Sequence, residues 1–563
     1  MTKKNKIKTL LITLNAKYIH TSLALRWLYV ANKDKFDISF REYTIKENLE
    51  KIVSDIKSLE IDVLGIGVYI WNVEQTKLLV QILKEELPNL KIILGGPEVS
   101  YEPDFFLENW KVDFVVSGEG EFVLGKLLQA IQNWEVVNIE SVSTRKNISN
   151  IVAQADLEEL IKLSSPYQLD EDRADLNHRM IYFETSRGCP YSCAYCLSSL
   201  ELGVRYFEMN FIEENLIYLI NSDAKRIKFL DRTFNIRKKH TLSIYEILLK
   251  NYRENLSCQF EIYADILDSS TIEFLNEKLP HNFFRFEIGI QSTHEPTNLA
   301  VNRKQDFEKL SENIRLLMQG GKVDLHLDLI AGLPFENYDR FVKSFDDVFQ
   351  LRAKELQLGF LKMLRGTALR RNSEKYNYIF SETAPYEVVS NDFISENELN
   401  RIRDAEFILD KFWNSGRFSQ TMNYIFDNEF SGKYFQFFEL FGEFYKENKF
   451  PNRAYQLEDL FRYLNSFLLT QNIDANNTLR EDYYSNFASR PRGYWTDNID
   501  TKTRKKLLNK ISQDEGFLFE NTISQYQVLK QATIDLLEGN RYLITIFNEE
   551  EKTRIKVVWE GEL

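Results

Sequence analysis

Thr185-Ser186-Arg187-Gly188-Cys189-Pro190-Tyr191-Ser192-Cys193-Ala194-Tyr195-Cys196 continues an apolar run, Met180–Thr185, that reads as a β-strand. The chain holds four cysteines. Three of them, Cys189, Cys193 and Cys196, fall in this loop, and the fourth, Cys258, is remote. A chain of 563 residues buries enough apolar surface to do without a disulfide framework. Thiols gathered this closely therefore point to metal ligation in a reducing compartment. In C-x3-C-x2-C spacing after a strand, each thiolate can hold one iron of a four-iron, four-sulfur cluster. A fully protein-ligated cluster takes four cysteines, so this loop leaves one iron open to a small molecule, as catalytic metal sites generally require. The structural alternative is zinc, which needs a fourth protein ligand such as His178. Cys258 opens an alternating stretch with Phe260, Ile262 and Ala264 and reads as a buried small apolar residue.

Outward from the loop, apolar β-rich runs recur at Arg226–Leu230, Cys258–Ala264, Phe284–Ile290, Val323–Ile330 and Glu355–Phe360. Stretches with helical spacing, such as Glu213–Ile220, Leu242–Tyr252, Phe307–Gly320 and Tyr338–Leu351, separate them. Six such repeats predict a partial parallel (β/α)6 barrel over 180–375, with its active site at the carboxyl ends of the strands.

An earlier alternating series predicts strands at Ile7–Leu14, Asp37–Thr44, Asp62–Val68, Lys91–Leu94 and Asp113–Val116. With amphipathic helices between them, residues 1–135 read as a doubly wound, Rossmann-like parallel sheet of an α/β protein. Ligands of such sheets bind beyond the carboxyl ends of the strands. Those ends carry Asn15-Ala16-Lys17-Tyr18, Tyr69-Ile70-Trp71-Asn72, Gly95-Gly96-Pro97-Glu98 and Ser117-Gly118-Glu119-Gly120-Glu121. Their glycines either admit a ligand close to the backbone or simply make turns. Residues 136–179 show no strong period and read as a linker. From about residue 376 to 563 the text turns aromatic and charged, with helical character. Tyr542–Phe547 and Thr553–Trp559 then read as a terminal β-hairpin around an Asn-Glu-Glu-Glu turn.

Composition sets bounds on partners. A net charge of −13 argues against long-range attraction to nucleic acid. The basic start is followed by a short apolar stretch broken by Thr13 and Asn15, unlike a signal peptide, and no run reaches the roughly 20 apolar residues of a membrane span. The expected location is the cytoplasm.

The cysteine loop, with aromatic Tyr195 before its third cysteine, resembles the signature of the radical S-adenosylmethionine superfamily. Other stretches resemble that superfamily's barrel motifs in order: Phe229-Leu230-Asp231-Arg232-Thr233-Phe234, Glu287-Ile288-Gly289-Ile290-Gln291-Ser292 with Asn302-Arg303, Asp328-Leu329-Ile330-Ala331-Gly332-Leu333-Pro334, and Leu364-Arg365-Gly366-Thr367. The preceding sheet resembles the cobalamin-binding domain of cobalamin-dependent members, and the likeness spans residues 7–375. The resemblance implies a [4Fe-4S] cluster on Cys189, Cys193 and Cys196, with S-adenosylmethionine chelating the open iron. Reductive cleavage would then give a 5′-deoxyadenosyl radical that takes a hydrogen atom from substrate. It implies S-adenosylmethionine contacts for Tyr195, Asp231, Gln291, Ser292, Arg303 and Asp328. Tyr195 would border the adenine and Asp231 would accept from the methionine ammonium, or each packs structurally.

Cobalamin contacts are implied for Asn15, Tyr18, Trp71, Gly95, Gly96, Gly118, Glu119 and Gly120. The D-x-H-x-x-G sequence of the cobalamin mutases is missing from the region of Asn15 to His20, so the corrin is expected base-off. His20 is either a lower cobalt ligand or a packing residue. The favoured activity is methylation of an unactivated position on an unidentified substrate. Rearrangement, cyclisation or oxidation is an alternative, and a cobalamin or redox sensor is a third reading. A low-potential flavodoxin or ferredoxin is the expected electron donor.

Overall fold

A computed structural model describes residues 7–201, 203–487, 499–537, 539–548 and 553–561. The chain divides into two compact units, residues 1–344 with 358–399, and residues 345–357 with 400–563.

The first unit begins with strands β1 (Lys8–Asn15), β2 (Asp37–Thr44), β3 (Val63–Gly67), β4 (Lys91–Gly95), β5 (Phe114–Val116) and β6 (Val142–Ser143). They lie in the order β2-β1-β3-β4-β5-β6, the first five parallel and β6 antiparallel. Side-chain alternation along the strands divides the core in two. Leu10, Ile12, Leu14, Leu64, Ile66, Ile92 and Leu94 pack on one face beneath helices Leu49–Ser58 and Val73–Glu86. Leu11, Val63, Ile93 and Val116 pack on the other beneath Leu23–Asn32 and Glu121–Asn133. Each fully buried Leu or Ile contributes roughly 1.5–3 kcal/mol, so these clusters outweigh the exposed ion pairs at about 0–1 kcal/mol each. The strand order reverses between β1 and β3, which makes their carboxyl ends the expected ligand crevice.

Residues 136–179 are more ordered than their lack of period suggests. β6 joins the first sheet, and Asp172 lies against Arg26 at 2.6 Å. The period fails because its buried residues, such as Val142, Leu160, Tyr167 and Leu176, are spaced irregularly along short turns and are supplemented by individual polar contacts.

The second sheet runs through β7 (Met180–Phe183), β10 (Arg226–Phe229), β11 (Ser257–Ile262), β12 (Phe284–Gln291), β13 (Asp324–Ala331) and β14 (Glu355–Phe360), in the order β14-β13-β12-β11-β10-β7. A short antiparallel ribbon, β8 (Ser186–Arg187) with β9 (Arg205–Tyr206), brackets the cysteine loop. The described pairings from β7 to β13 are parallel, and among the described residues no pairing joins β7 to β14, so this is an open six-stranded barrel. Its outward residues alternate with its lumen residues. Phe260 stacks on Phe229 at 4.4 Å and meets Phe284 at 5.0 Å, all fully buried. Gln259, Glu261, Glu287, His326 and Asp328 occupy the opposite, lumen-facing positions.

The second unit is mainly helical, including Ser419–Asn428, Tyr434–Glu447, Leu457–Thr470 and Asn476–Asn486. Its aromatics form a core in which Phe441 stacks on Phe467 at 4.5 Å. The terminal hairpin is present as strands Arg541–Asn548 and Thr553–Glu560, and its turn lies outside the described residues. A third strand, Ala532–Leu536, extends it to a three-stranded antiparallel sheet. That strand's two consecutive buried residues, Ile534 and Asp535, hide the period-two signal.

Phe260→Ala is expected to lower stability by roughly 3–5 kcal/mol in denaturant titrations, and Phe260→Leu by less than about 2 kcal/mol.

Candidate functional site

The cysteine loop is fixed at its start by a buried carboxylate. Asp231, at the end of β10, accepts hydrogen bonds from the Thr185 backbone N–H at 3.0 Å, the Thr185 hydroxyl at 2.6 Å and the Ser186 hydroxyl at 2.5 Å. Burial pushes the Asp231 carboxyl up to about 6 in spite of these donors. Its oxygens thus anchor the loop, and Asp231 is not among the residues that line the neighbouring cavity. His240 Nε2 lies 3.0 Å from the Thr185 hydroxyl on the other side.

Beyond this anchor, Cys189, Cys193 and Cys196 line one cavity of about 310 Å³, and none is in a disulfide. Among the described residues no three His, Cys, Asp or Glu side chains gather closely enough for a single metal ion. His178 is exposed and does not line the cavity. Cys258 is fully buried on the outward face of β11, opposite in register parity to the cavity-lining Glu261. Burial pushes its thiol far above the ordinary range. The donor set is therefore three thiols in one wall with a free face, which fits a four-iron cluster with one open iron.

The rest of the cavity brings together Tyr195, Gln291, Arg303 and Asp328 from separate strands and loops. Gln291 has φ +68°, and the β12–β13 register shifts between Gly289 and Gln291. This bulge aims the Gln291 amide into the cavity, where its buried Oε1 has no partner. Gly289 leaves room for the Gln291 amide, whose nitrogen lies where a Cβ would stand. Arg303 is held in orientation by the Gly289 carbonyl, by Gln305 at 3.1 Å and by the Tyr195 hydroxyl at 3.4 Å. Its guanidinium lies 4.7 Å over the ring of Tyr263, which stacks on Tyr191 at 4.2 Å. Glu261, Tyr263, Tyr191 and Arg232 also line the cavity and were not singled out from sequence. The lumen parity of Glu261 was the available signal. A guanidinium, the Glu261 and Asp328 carboxylates, an unpaired amide and aromatic rings suit an amino acid zwitterion, a ribose diol and a base, so these residues fit S-adenosylmethionine.

Ser292 stands behind this wall. It is fully buried and donates to Glu336 Oε1 at 2.6 Å, which also accepts from Ser344 at 2.6 Å.

At the crevice of the first sheet, Trp71 stacks on Tyr69 at 4.4 Å and 6°, stays 45% exposed, and donates to the Leu14 carbonyl. A flat, wet aromatic surface at the switch point fits a large planar ligand. Asn15 is buried and donates to the His20 carbonyl and to Glu42. Tyr18 is 60% exposed and donates to Asp175. His20 Nδ1 lies 2.9 Å from the Tyr182 hydroxyl of β7. Burial, with Lys17, Lys228 and Arg179 nearby, pulls the imidazole's pKa down. Gly95 is half-buried at the end of β4, and Gly120 precedes helix Glu121–Asn133. The space beside two other glycines is already filled by backbone. A Cβ on Gly96 would meet the Val68 carbonyl at 2.6 Å, and one on Gly118 would collide with Ala153. Glu119 pairs with Arg187 at 3.0 Å and with Arg205.

The B12 binding domain family matches residues 9–128, and the radical SAM superfamily matches residues 183–348. The chain thus carries a B12-binding domain followed by a radical SAM domain. A further family, protein of unknown function DUF4080, matches residues 374–555. The chain is 27% identical over 307 residues to the cobalamin-dependent radical SAM methyltransferase TokK of Streptomyces tokunonensis, covering 51% of this chain and 44% of the relative. It is 31% identical over 312 residues to the 2-(S-pantetheinyl)-carbapenam-3-carboxylate methyltransferase of Streptantibioticus cattleyicolor, covering 49% and 43%. The chain spans about half the length of the curated relatives it matches. In fold it is similar to the cobalamin-dependent radical enzyme OxsB with aqua-cobalamin bound, with a TM-score of 0.58 at 15% identity over 90% of this chain and 84% of that one.

The raised carboxyl pKa of Asp231 means that the folded chain binds its proton more tightly than the unfolded chain does. Its contribution to stability is full below the unfolded value near 3.8 and is lost as pH rises through about 6. Denaturant titrations from pH 4.5 to 6.5 should therefore show wild type losing stability relative to Asp231→Asn as pH rises.

Proposed function

We propose that this enzyme methylates an unactivated position of its substrate, with a [4Fe-4S] cluster, S-adenosylmethionine and base-off cobalamin as cofactors. The observation that carries this reading is the shared cavity of the three thiols with Tyr195, Gln291, Arg303 and Asp328, on a chain that opens with a B12-binding domain. The methyltransferase relatives support methyl transfer as the outcome. When bound, these groups supply reductive cleavage, hydrogen-atom abstraction and a transferable methyl group.

The protein's part is to hold and exclude. Cys189, Cys193 and Cys196 hold the cluster. Arg303 receives a carboxylate, Glu261 and Asp328 accept from an ammonium or ribose hydroxyls, and Tyr195 borders the base. Gln291 offers its unpaired oxygen to a donor. Trp71 and Tyr69 face the corrin. The missing D-x-H-x-x-G sequence supports a corrin without a histidine ligand to cobalt. Among the described residues no helix is long and apolar enough to cross a membrane. We place the enzyme in the cytoplasm with a low-potential flavodoxin or ferredoxin as reductant. Its acidic balance disfavours nucleic acid as partner.

A second reading, cyclisation or oxidation, is supported by cyclase and oxidase relatives. The chain is 25% identical over 254 residues to the anaerobic magnesium-protoporphyrin IX monomethyl ester cyclase of Synechocystis, covering 42% of this chain and 49% of the relative.

Anaerobic reconstitution with iron, sulfide and cobalamin, followed by dithionite and S-adenosylmethionine, should give 5′-deoxyadenosine. The product should vanish in the triple Cys189→Ala, Cys193→Ala, Cys196→Ala variant. Arg303→Ala should raise the S-adenosylmethionine concentration for half-maximal cleavage by roughly 10–100-fold. Cluster-loaded wild type that gives no 5′-deoxyadenosine with any candidate substrate would contradict the reading. A substrate mass gain of one CH2 would decide for methyl transfer over cyclisation.

A further inference from the structure

Arg187 begins the cysteine loop two residues before Cys189, and its side chain points the other way, into the B12-binding domain. Its guanidinium meets Glu119 Oε2 at 3.0 Å, Glu121 Oε1 at 2.8 Å and Glu184 Oε1 at 2.8 Å, with Nε donating to Glu184 Oε2 at 3.0 Å. All four side chains are nearly buried, at 11%, 12%, 7% and 10% exposure for Arg187, Glu119, Glu121 and Glu184. Arg205 of β9 adds a second cation on Glu119 and donates to the Ala155 carbonyl at 2.7 Å. Trp27 donates to Glu184 Oε1 at 2.6 Å, and the Ala155 N–H donates to Glu119 Oε2 at 2.7 Å.

Two of these carboxylates, Glu119 and Glu121, stand on the Gly118–Glu121 turn that follows β5, at the ligand-binding edge of the first sheet. A turn at the carboxyl edge of the first sheet therefore spends its charged side chains on the cluster loop of the other domain. Arg187 and Arg205 face three carboxylates, and Glu121 Oε2 is left buried without a partner. A fork geometry of this kind is directional and sensitive to small displacements. The backbone between the two ends is tight. Gly188 has φ +92°, and a Cβ there would collide with the Gly203 carbonyl, so one glycine residue packed against the Glu201–Gly203 backbone separates Arg187 from Cys189.

We infer that Arg187, Glu119 and Glu121 are positioning residues that couple cobalamin binding to cluster assembly, each making the other tighter. The inference rests on the proposed use of both cofactors. Without a cluster the three thiols are no longer tied together, the loop loosens, and the Gly118–Glu121 turn loses the fork that holds it against the corrin site. Linkage makes the effect reciprocal.

The test is hydroxocobalamin affinity, measured anaerobically for the cluster-bearing and the cluster-free chain, in wild type, the Glu119→Gln/Glu121→Gln double variant and Arg187→Lys. Wild type should bind hydroxocobalamin about tenfold more tightly when its cluster is in place, within the usual range of coupling between sites. The ratio should fall to near one in both variants, with thermal melting confirming that they are folded. Taking the ratio within each variant cancels a general loss of stability, which a merely structural role would produce. Equal affinities in wild type, or an unchanged ratio in the variants, would overturn the coupling alone. Wild type that binds no hydroxocobalamin in either state would overturn the proposed cofactor use and the coupling with it.

Discussion

The first unit depends on one buried arginine that belongs to two structures at once. Arg187 is part of the loop that presents three thiols, and it is the cation around which Glu119, Glu121 and Glu184 converge. Breaking a buried, hydrogen-bonded ion pair by removing one partner typically costs about 3–5 kcal/mol, because the remaining charge is stranded. The geometry of the loop is thus set from both sides. Asp231 grips Thr185 and Ser186 from the barrel, and the acidic turn grips Arg187 from the first sheet. A second ion-pair group, Glu98 and Glu102 with Arg365 and Tyr386, joins the end of β4 to the region after β14 in the same manner.

The lumen explains why a barrel built from ordinary apolar strands can serve polar cofactors. The outward residues of β11 and β12, such as Phe260, Phe284 and Phe286, supply the packing. The inward ones carry charge, with Lys228 paired to Glu287 at 2.8 Å and Glu261 without a described partner. An unpaired carboxylate and an unpaired amide beside the thiols carry a desolvation cost that a ligand rich in donors would relieve.

Much of this was legible in the sequence where periodicity is strong. Asp37–Thr44 and Glu355–Phe360 coincide with their predicted spans, the other predicted strands of the two parallel sheets shift by one or two residues at one or both ends, and β6 was not predicted. The cysteine spacing led directly to the cavity. Gln291 at the β12 bulge and Asp328 on the lumen face of β13 meet there with Tyr195 of the cysteine loop and Arg303 of the loop after β12. Asp231 and Ser292 lie one position off the lumen and act as supports. Charge type alone cannot separate a ligand contact from a hydrogen-bond anchor, which is why sequence grouped them together. Glu119 was read as a corrin contact from its neighbouring glycines, and its partners Arg187 and Arg205 lie too far along the chain for any local pattern to reveal. The third strand of the terminal sheet escaped because its burial does not alternate.

The central claim is that three cysteines leave one iron open to S-adenosylmethionine. Electron-nuclear double resonance of the reduced, reconstituted enzyme, with S-adenosylmethionine labelled at its amino nitrogen and carboxylate oxygens, tests it most directly. The account predicts hyperfine coupling from both labels to the cluster, retained in Cys258→Ala. A cluster that forms but shows no coupling to either label, or one that requires Cys258, would contradict it.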